Sequence, residues 1–395
     1  MEEWKTYRLE DLTIDGKGHY GIGAPAVDFD ENKFTYLRIT DINDDGSINY
    51  LGLKSVDDPE ASKYLLKEGD IVFARTGNST GRSYYYESSD GQFVFAGFLI
   101  KFSLDPAKVN PRFLKYYTHS KSYYEWVQSF DTGATRGNIN AQTYGSMEIK
   151  LPPRTVQDRL VEILSSIDDK IKLNNRINHN LEIILDAKYE EIISKSSRTF
   201  ALSEIANRIT DGAHNTVIDS PGNPYFLLSC KNLKGGQISI GSSERKIDFS
   251  TFHKLRQRTK LCKWDILLSS VGTIGEIVLL KEEPSLYEFQ RSVAMIKASQ
   301  YSPFIVYSAL RRQRCELIHA AHGAVQQCLF LSDIGNFELT VPEDPVDVSG
   351  FSRLSKITHT MISELERENK ELALLRDSLI PKLLSGEFTI RNERR

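Results

Sequence analysis

Side chains that can hydrogen-bond to bases or neutralise phosphates cluster in a few short stretches of the first half of the chain. In the major groove of DNA, arginine fits the acceptors of guanine and asparagine fits adenine, whereas cations and hydroxyl groups also hold phosphates. Three stretches are rich in basic, amide and hydroxyl groups: Lys17, His19 and Tyr20; Arg75, Thr76, Asn78 and Arg82; and Thr135, Arg136, Asn138 and Asn140. We predict that these residues contact DNA; the alternative for each of them is a solvated surface side chain.

The second half carries a denser basic stretch. Five cations fall within ten residues, with no acidic residue between them: Lys254, Arg256, Arg258, Lys260 and Lys263. This density is typical of a surface that neutralises phosphates. Gln326 and Gln327 stand at the positions that Arg136 and Gly137 occupy in the first half, as expected of a recognition loop that has diverged. The sequence therefore predicts a DNA contact in each half.

Two glycine-rich stretches resemble phosphate-binding loops but lack the surrounding features of such loops. Residues 16–21 spell G-x-G-x-x-G, yet Pro25 follows where the helix of a dinucleotide site should begin. Residues 77–83 are one residue shorter than a P-loop and carry Arg82 in place of its lysine. We therefore predict no cofactor site in this chain.

Metal and catalytic constellations are also incomplete in the sequence. Cys315, His319 and His322 would share a helix face near Cys328, but the matching positions of the first half have no such side chains. The Asn/Asp-Pro-Pro-aromatic motif of amino-methyltransferases is absent, and residues 148–150 match only half of a nuclease motif. We predict neither a catalytic site nor a metal site.

Two long helices are the elements that must position these loops. From Thr155 to about Ser194, apolar residues keep helical spacing for about 40 residues, which corresponds to about 60 Å of helix. A second helix is predicted from about Ser352 to Ser385. The predicted heptad seams are Leu160, Leu164, Ile167, Ile171, Leu181, Leu185 and Ile192 in the first helix, and Ile357, Met361, Leu365, Leu372, Leu375, Leu379 and Leu383 in the second. Because one coiled-coil strand buries little alone, we predict that the two helices pair antiparallel, with two amphipathic helices in separate cores as the alternative.

The chain repeats itself after about 190 residues. Glycines and prolines recur at matching positions in the two repeats: Gly133, Gly145 and Pro152, then Gly323, Gly335 and Pro342. Each repeat predicts several short strands and one helix, from about Pro111 to Phe130 or from about Pro303 to Ala321. The predicted fold class is α+β, with two tandem globular heads that are each followed by a long helix.

Composition sets wider limits. A chain of 395 residues exceeds one typical core, so two or three domains are expected. The net charge of −3 means that a polyanion must be met by local patches. The sequence has no apolar run of 18 residues and no signal-peptide pattern, which predicts a cytoplasmic protein. Four unevenly spaced cysteines favour reduced thiols over a disulfide framework.

The order of these motifs resembles that of the specificity (S) subunits of type I restriction–modification systems. The resemblance rests on the stretch from Gly133 to Asn140, on Leu-Pro-Pro at 151–153 followed by Gln157, and on residues 379–387, together with the repeat. It implies two target-recognition domains that each read one half of a split, asymmetric target in double-stranded DNA. It also implies two methyltransferase subunits and restriction (translocase) subunits as partners. Those subunits, and not this chain, would bind S-adenosylmethionine, ATP and Mg.

We predict four segments from these patterns. They are a first target-recognition domain at 1–150, a central long helix at 151–198, a second target-recognition domain at 199–345 and a C-terminal long helix at 346–395. The predicted function is non-catalytic recognition of DNA sequence. Two alternatives remain open: a scaffold whose paired domains bind proteins, and a solitary nuclease. Salt-dependent, sequence-biased binding to DNA would distinguish recognition of DNA sequence from the protein-binding scaffold.

Overall fold

The computed structural model describes residues 4–50, 52–130, 137–241, 243–323 and 327–385. It divides into two compact units, one formed by residues 1–172 with 370–395 and the other by residues 173–369. We call residues 4–151 of the first unit head 1 and residues 197–342 of the second unit head 2. Each unit therefore contains one head and a part of each long helix.

Head 1 consists mainly of short strands. Its described strands are β1 (Lys5–Arg8), β2 (His19–Tyr20), β3 (Ala26–Val27), β4 (Phe34–Leu37), β5 (Lys54–Val56), β6 (Asp70–Ala74), β7 (Ser83–Tyr85), β8 (Phe93–Phe95), β9 (Leu99–Ser103) and β10 (Glu148–Leu151). They form two four-stranded sheets, ordered β2-β9-β6-β7 and β3-β5-β4-β8, and the pair β1-β10. Every residue of β6 is buried, as expected of an inner strand in which four apolar residues follow Asp70.

Three short helices complete head 1: α1 (Pro111–Tyr117), α2 (Lys121–Gln128) and α3 (Ala141–Gly145). The predicted helix from Pro111 to Phe130 is therefore two helices, and the prediction of one was wrong. Ser120 is the reason, since its side chain accepts a hydrogen bond from the N–H of Tyr123 at 3.3 Å and starts a new helix.

Head 2 repeats this order. Its described strands are β11 (Ser197–Ala201), β12 (Ala206–Asp211), β13 (Tyr225–Leu228), β14 (Leu233–Lys234), β15 (Gln237–Ile238), β16 (Lys246–Ile247), β17 (Ile266–Ser269), β18 (Ile277–Leu279), β19 (Tyr287–Phe289), β20 (Val293–Ala298) and β21 (Glu338–Pro342). Its described helices are α5 (Leu202–Ile205), α6 (Phe249–Thr259), α7 (Pro303–Arg312), α8 (Arg314–His319) and α9 (Leu331–Asn336). The predicted helix from Pro303 to Ala321 is likewise divided, here into α7 and α8.

The sheets of the two heads correspond in strand order, except that β3 of head 1 has no counterpart in the three-stranded sheet of head 2. The order β12-β20-β17-β18 matches β2-β9-β6-β7, and β16-β13-β19 matches β5-β4-β8. In each head the middle strand of the second set pairs in parallel with its neighbour, β4 with β8 and β13 with β19. The main difference is α6, which replaces the short 3-10 turn Ala61–Tyr64 of head 1.

One pair of glycines shows that the backbones of the two heads follow the same path at a close chain crossing. A Cβ atom on Gly21 would lie 2.2 Å from the carbonyl oxygen of Phe95, and one on Gly212 would lie 1.9 Å from that of Phe289. Both distances are too short for any side chain, so these two chain crossings require glycine. Gly21 and Gly212 therefore mark matching positions of the two heads.

The two long helices are α4 (Arg154–Lys195) and α10 (Pro345–Leu384). In the second unit, Asn174 donates to Asn369 at 2.9 Å, and the rings of Tyr189 and Phe351 lie 5.3 Å apart. Early residues of this part of α4 thus meet late residues of α10, which confirms the predicted antiparallel pairing. No helix in the described part of the chain is both long and apolar enough to cross a membrane.

The predicted seam of α10 is only partly correct. Ile357, Met361 and Leu375 are 55%, 46% and 48% exposed, whereas Ile362 and His359 are almost fully buried. For Ile357 and Met361 in the second unit, the reason is that head 2 packs on the face of the helix that carries His359, so the buried face is displaced from the heptad seam. In α4 the predicted seam is better preserved, because Leu160, Leu164, Ile167, Leu185 and Ile192 are all buried.

Candidate nucleic-acid interface

Loops that carry predicted contact residues of head 1 meet where strand β6 ends. The backbone N–H of Arg75 donates to the carbonyl of Phe98 at 3.1 Å, and the carbonyl of Arg75 accepts from the N–H of Ile139 at 2.9 Å. One residue further on, Thr76 pairs with Asn138 in an isolated antiparallel bridge. We call these three backbone contacts the loop frame. Its effect is to hold three loops together at one place.

The side chains around this frame are arranged by further hydrogen bonds. The guanidinium carbon of Arg75 lies 5.1 Å from the centre of the Tyr20 ring, and the Tyr20 hydroxyl accepts from the N–H of Ala141 at 3.1 Å. Asn140 caps α3, since its Oδ1 accepts from the N–H of Thr143 at 2.9 Å. The structure therefore brings together predicted contact residues that lie about 120 residues apart in sequence.

The side chains of four predicted residues of head 1 are exposed or lie beside a carboxylate. Asn78 and Asn138 are exposed. Lys17 is exposed in the loop before β2, and the Nε2 of His19 lies 2.5 Å from the carboxylate of Asp15. These four residues remain predicted DNA contacts.

Arg82 is held by head 1 itself. Its Nε donates to the carboxylate of Asp44 at 2.7 Å, and its Nη1 donates to the carbonyl of Ile42 at 3.0 Å. This geometry gives Arg82 a structural role in addition to the predicted one. Three other predicted contacts lie outside the described residues: Thr135, Arg136 and Gln326.

Head 2 contains the same loop frame. The N–H of Ser270 donates to the carbonyl of Ser292 at 2.9 Å, and the carbonyl of Ser270 accepts from Leu329 at 2.8 Å. Val271 then pairs with Cys328 in an isolated antiparallel bridge. The backbone is thus repeated in both heads, while the side chains that it carries differ.

Two cations of the basic stretch are occupied within head 2. Arg256 donates to the carboxylate of Glu288 and to the carbonyl of Tyr287, the latter at 2.9 Å. The Glu288 side chain is fully buried, and this burial raises the pKa of its carboxyl group although Arg256 opposes the rise. Arg258 donates to the carbonyl of Asp211 at 3.0 Å. Both arginines therefore stabilise head 2.

The lysines of the same stretch make fewer contacts within the described part of head 2 than the two arginines do. Lys254 and Lys260 are exposed, and neither side chain has a hydrogen-bond or ion-pair partner in the part of the chain that the structure describes. Lys260 ends α6 in the left-handed conformation, with a φ of 50°. The amino group of Lys263 lies 4.8 Å from the Trp264 ring. Gln327 is exposed beside the frame of head 2.

Sequence reasoning missed two residues of head 2 that occupy the positions of predicted contact residues of head 1. Asp211 lies where Tyr20 lies in head 1, and its Oδ1 is 2.8 Å from the Nε2 of His214. Ser270 lies where Arg75 lies. A residue-by-residue alignment of the two repeats, extended from the matching glycines, would have found both.

One of the four cysteines of head 2, Cys328, takes part in the loop frame through its backbone. All four are free thiols. Cys328 pairs through its backbone with both Val271 and His322. Among the described residues, no group of three or more histidine, cysteine or carboxylate side chains is placed to hold a metal ion.

The comparison with protein families agrees with this geometry. Residues 1–183, which comprise head 1 and the first part of α4, match the family described as the type I restriction modification DNA specificity domain. Through this region, which is slightly less than half of its length, the chain is similar to the type I specificity family. Head 1 and its loop frame lie within the residues that match this specificity domain.

Curated relatives of the chain are themselves specificity subunits. The chain is 24% identical over 200 residues to the specificity subunit of the type I enzyme HindI from Haemophilus influenzae, and this match covers 48% of the chain and 40% of the relative. The StySPI specificity subunit of Salmonella potsdam is 31% identical over 196 residues, or 46% of the chain and 42% of the relative. The MjaIX specificity subunit of Methanocaldococcus jannaschii is 22% identical over 311 residues, and this match covers 70% of the chain and 69% of the relative. The chain thus spans less than half the length of two of these relatives.

A solved structure supports the fold. The S subunit of a type I restriction–modification system from M. genitalium superposes with a TM-score of 0.51 and 15% identity, over 97% of this chain and 96% of that one. This likeness concerns the fold alone. It agrees with two α+β heads that are each followed by a long helix.

Proposed function

We propose that this chain is the DNA sequence-specificity subunit of a type I restriction–modification complex and that it reads a bipartite, asymmetric target. The observation that carries the proposal is the loop frame, which recurs in both heads with different side chains at matching positions. A repeated backbone can approach two DNA half-sites in the same way, and different side chains then select different bases. The match of residues 1–183 to the specificity domain supports this proposal.

The proposed contacts fall into two groups. Phosphate contacts fix the position of a protein on DNA, whereas contacts to base edges select the sequence. Lys254 and Lys260 are exposed and without partners in the described part of head 2, so we assign them to phosphates. Arg75, Asn138 and Gln327 lie on or beside the loop frames, so we assign them to base edges.

The chemistry of the complex belongs, in this proposal, to other chains. Two methyltransferase subunits would use S-adenosylmethionine, and restriction subunits would use ATP and Mg to translocate and cleave DNA. The chain described here is then non-catalytic, and its own contribution is to bind DNA and these partners. The match of residues 1–183 to the specificity domain and the resemblance of the motifs support this division.

Binding to DNA should be sequence-biased and should weaken as salt increases. We expect the full chain, together with its methyltransferase, to enrich one split motif from a pool of random duplexes. The logarithm of the affinity should fall linearly with the logarithm of the salt concentration, because bound phosphates release their counterions. Selection followed by sequencing, and titration at several salt concentrations, measure these effects. Binding that ignores both salt and sequence would favour a protein-binding scaffold, and hydrolysis of DNA by the chain alone would favour a nuclease.

Replacing Lys254 with alanine should weaken binding to all sequences alike. Lys254 is an exposed cation on α6 without a partner in the described part of head 2, so its loss should reduce the slope of log affinity against log salt by about one. Lys231→Ala is a matched control, because Lys231 also lies in head 2 but is already paired with Glu244 at 3.0 Å. Titrating both variants on cognate and scrambled duplexes checks this prediction. A selective loss on the cognate duplex would instead assign Lys254 to base recognition.

A further inference from the structure

We infer that Arg75 reads a guanine in the half-site bound by head 1 and that Tyr20 positions the guanidinium group for this contact. The inference rests on the proposed function and assigns one base contact within it. Three observations carry it: the unpaired charge of Arg75, its fixed geometry and its place in the loop frame.

The first observation concerns charge. Each of the other described arginines of head 1 is paired with a carboxylate: Arg8 with Glu10 at 3.6 Å, Arg38 with Asp41 at 2.7 Å, Arg82 with Asp44 at 2.7 Å and Arg112 with Glu87 at 2.9 Å. Arg75 has no carboxylate partner and no side-chain hydrogen bond within the described residues. It is also only partly exposed. A half-buried cation without a partner is costly to a folded protein, so an acceptor from another molecule is the expected partner.

The second observation concerns geometry. The backbone of Arg75 is bonded on both sides, to Phe98 and to Ile139. Its side chain lies over Tyr20, whose hydroxyl is fixed in turn by the N–H of Ala141. The Nε atom is buried without a partner, which leaves the two terminal Nη groups for an external acceptor. A guanidinium group held in this way loses little freedom when it binds.

The third observation distinguishes a contact to a base from a contact to a phosphate. Head 2 has the same backbone contacts at Ser270, so the frame itself does not depend on an arginine. A residue that merely held a phosphate would be equally useful in both heads, because every half-site has the same backbone. A different residue at the same place is expected where two heads read different bases. Arginine fits guanine because its Nη groups can donate to O6 and N7 together.

The test uses the full chain with its methyltransferase and a pool of random duplexes. For Arg75→Ala, we expect the preference for guanine at one position of one half-site to fall by about 5- to 150-fold, the range of one bidentate base contact. The other half-site is an internal control, since head 2 is unchanged in the same molecule. Arg8→Ala is a matched control, because it removes the same charge from head 1 and should leave every base preference intact.

A second variant separates the loss of the base contact from a loss of folding. Arg75→Gln keeps a planar group of similar length over Tyr20, and glutamine pairs with adenine in place of guanine. We expect guanine preference to be lost at the same position, with any new preference directed to adenine. Circular dichroism and the intact second half-site show that each variant is folded.

The role of Tyr20 has its own readout. Tyr20→Leu removes the ring below the guanidinium group and should lower discrimination at the same base pair as Arg75→Ala, without changing the preferred base. Tyr20→Phe keeps the ring and should retain most of the discrimination. A general loss of structure would not act on one base pair alone, so this pair of variants separates positioning from folding.

Three results would overturn the inference. An equal loss on all sequences with a smaller salt slope would make Arg75 a phosphate contact. Unchanged preferences in Arg75→Ala would remove it from the interface. A wild-type complex that shows no sequence preference at all would overturn the proposed function itself, and this outcome is visible before any variant is compared.

Discussion

Asp168→Asn should lower the free energy of unfolding by about 3–5 kcal/mol, the usual cost of removing one partner from a buried ion pair. Asp168 lies on α4 and is 7% exposed. Its carboxylate is 2.8 Å from the amino group of Lys115 and 3.0 Å from the guanidinium group of Arg376, and it accepts from the Tyr116 hydroxyl at 2.9 Å. The variant leaves two cations without their charged partner. Unfolding by urea, followed by circular dichroism, measures the change.

The loss should depend on pH in a defined direction. Burial raises the pKa of Asp168, but Lys115 and Arg376 outweigh this effect, and the net pKa lies below its ordinary value. A carboxylate with a lowered pKa stabilises the fold above its unfolded pKa of about 3.9, and this contribution disappears as the pH falls through the folded pKa. The difference between wild type and Asp168→Asn should therefore be full at neutral pH and shrink in strong acid. A difference that stays constant between pH 7 and pH 3 would mean that packing, not charge, was lost.

Asp169→Asn is the matched control for this experiment. Asp169 is the next residue of α4 and is exposed, so its replacement should change stability by no more than about 0.5 kcal/mol. Asp168 has a wider role because its partners lie on α1 and α10. In the first unit it therefore fixes head 1 on both long helices, away from the recognition loops.

The repeat and the long helices were predictable because each produces a pattern that is visible in the sequence itself. A helix needs only regular apolar spacing, as from Leu160 to Ile192, and a repeat needs only similar residues at a constant offset. The boundaries inside the heads were harder. Ser120 divides one predicted helix. Its capping hydrogen bond starts a new helix although the apolar residues keep helical spacing across it, so the spacing alone does not reveal the boundary.

The seam of α10 shows where periodicity fails. Heptad spacing singled out Ile357 and Met361, yet the structure buries His359, whose ring lies 5.9 Å from Phe304 and 5.4 Å from Tyr307. These contacts come from head 2 and are distant in sequence. A pattern read along one helix cannot show which of its faces a separate domain will cover.

The candidate interface was predictable in its residue types but not in their partners. Arg75 and Arg82 are seven residues apart and read alike in the sequence. Within the described residues, the side chain of Arg75 has no hydrogen-bonding or ionic partner beside Tyr20, whereas Arg82 is bonded to Asp44, which only folding brings near. Charge density is therefore a sound sign of a basic surface and a poor guide to which cations are free.

Arg256→Ala should destabilise head 2 by about 3–5 kcal/mol, because it leaves Glu288 buried without its cation. The side chain of Glu288 is fully buried and that of Arg256 is 24% exposed. Lys254→Ala is the control on the same helix, since Lys254 is exposed and should affect stability by at most about 0.5 kcal/mol. Urea unfolding of the two variants should thus separate cations that look equivalent in the sequence.

Protonation of Glu288 should repair part of this loss. Burial raises the pKa of the Glu288 carboxyl even in the presence of Arg256, and removing Arg256 should raise it further. A carboxyl group with a raised pKa favours the folded state most when it is protonated, so the deficit of Arg256→Ala should shrink as the pH falls from 7 through that pKa. Adding Glu288→Gln, which removes the charge but keeps the shape, should restore stability at neutral pH in the same way. If neither acid nor Glu288→Gln reduces the deficit, the contribution of Arg256 is its hydrogen bond to the carbonyl of Tyr287 and its packing, and the buried charge of Glu288 is tolerated without it.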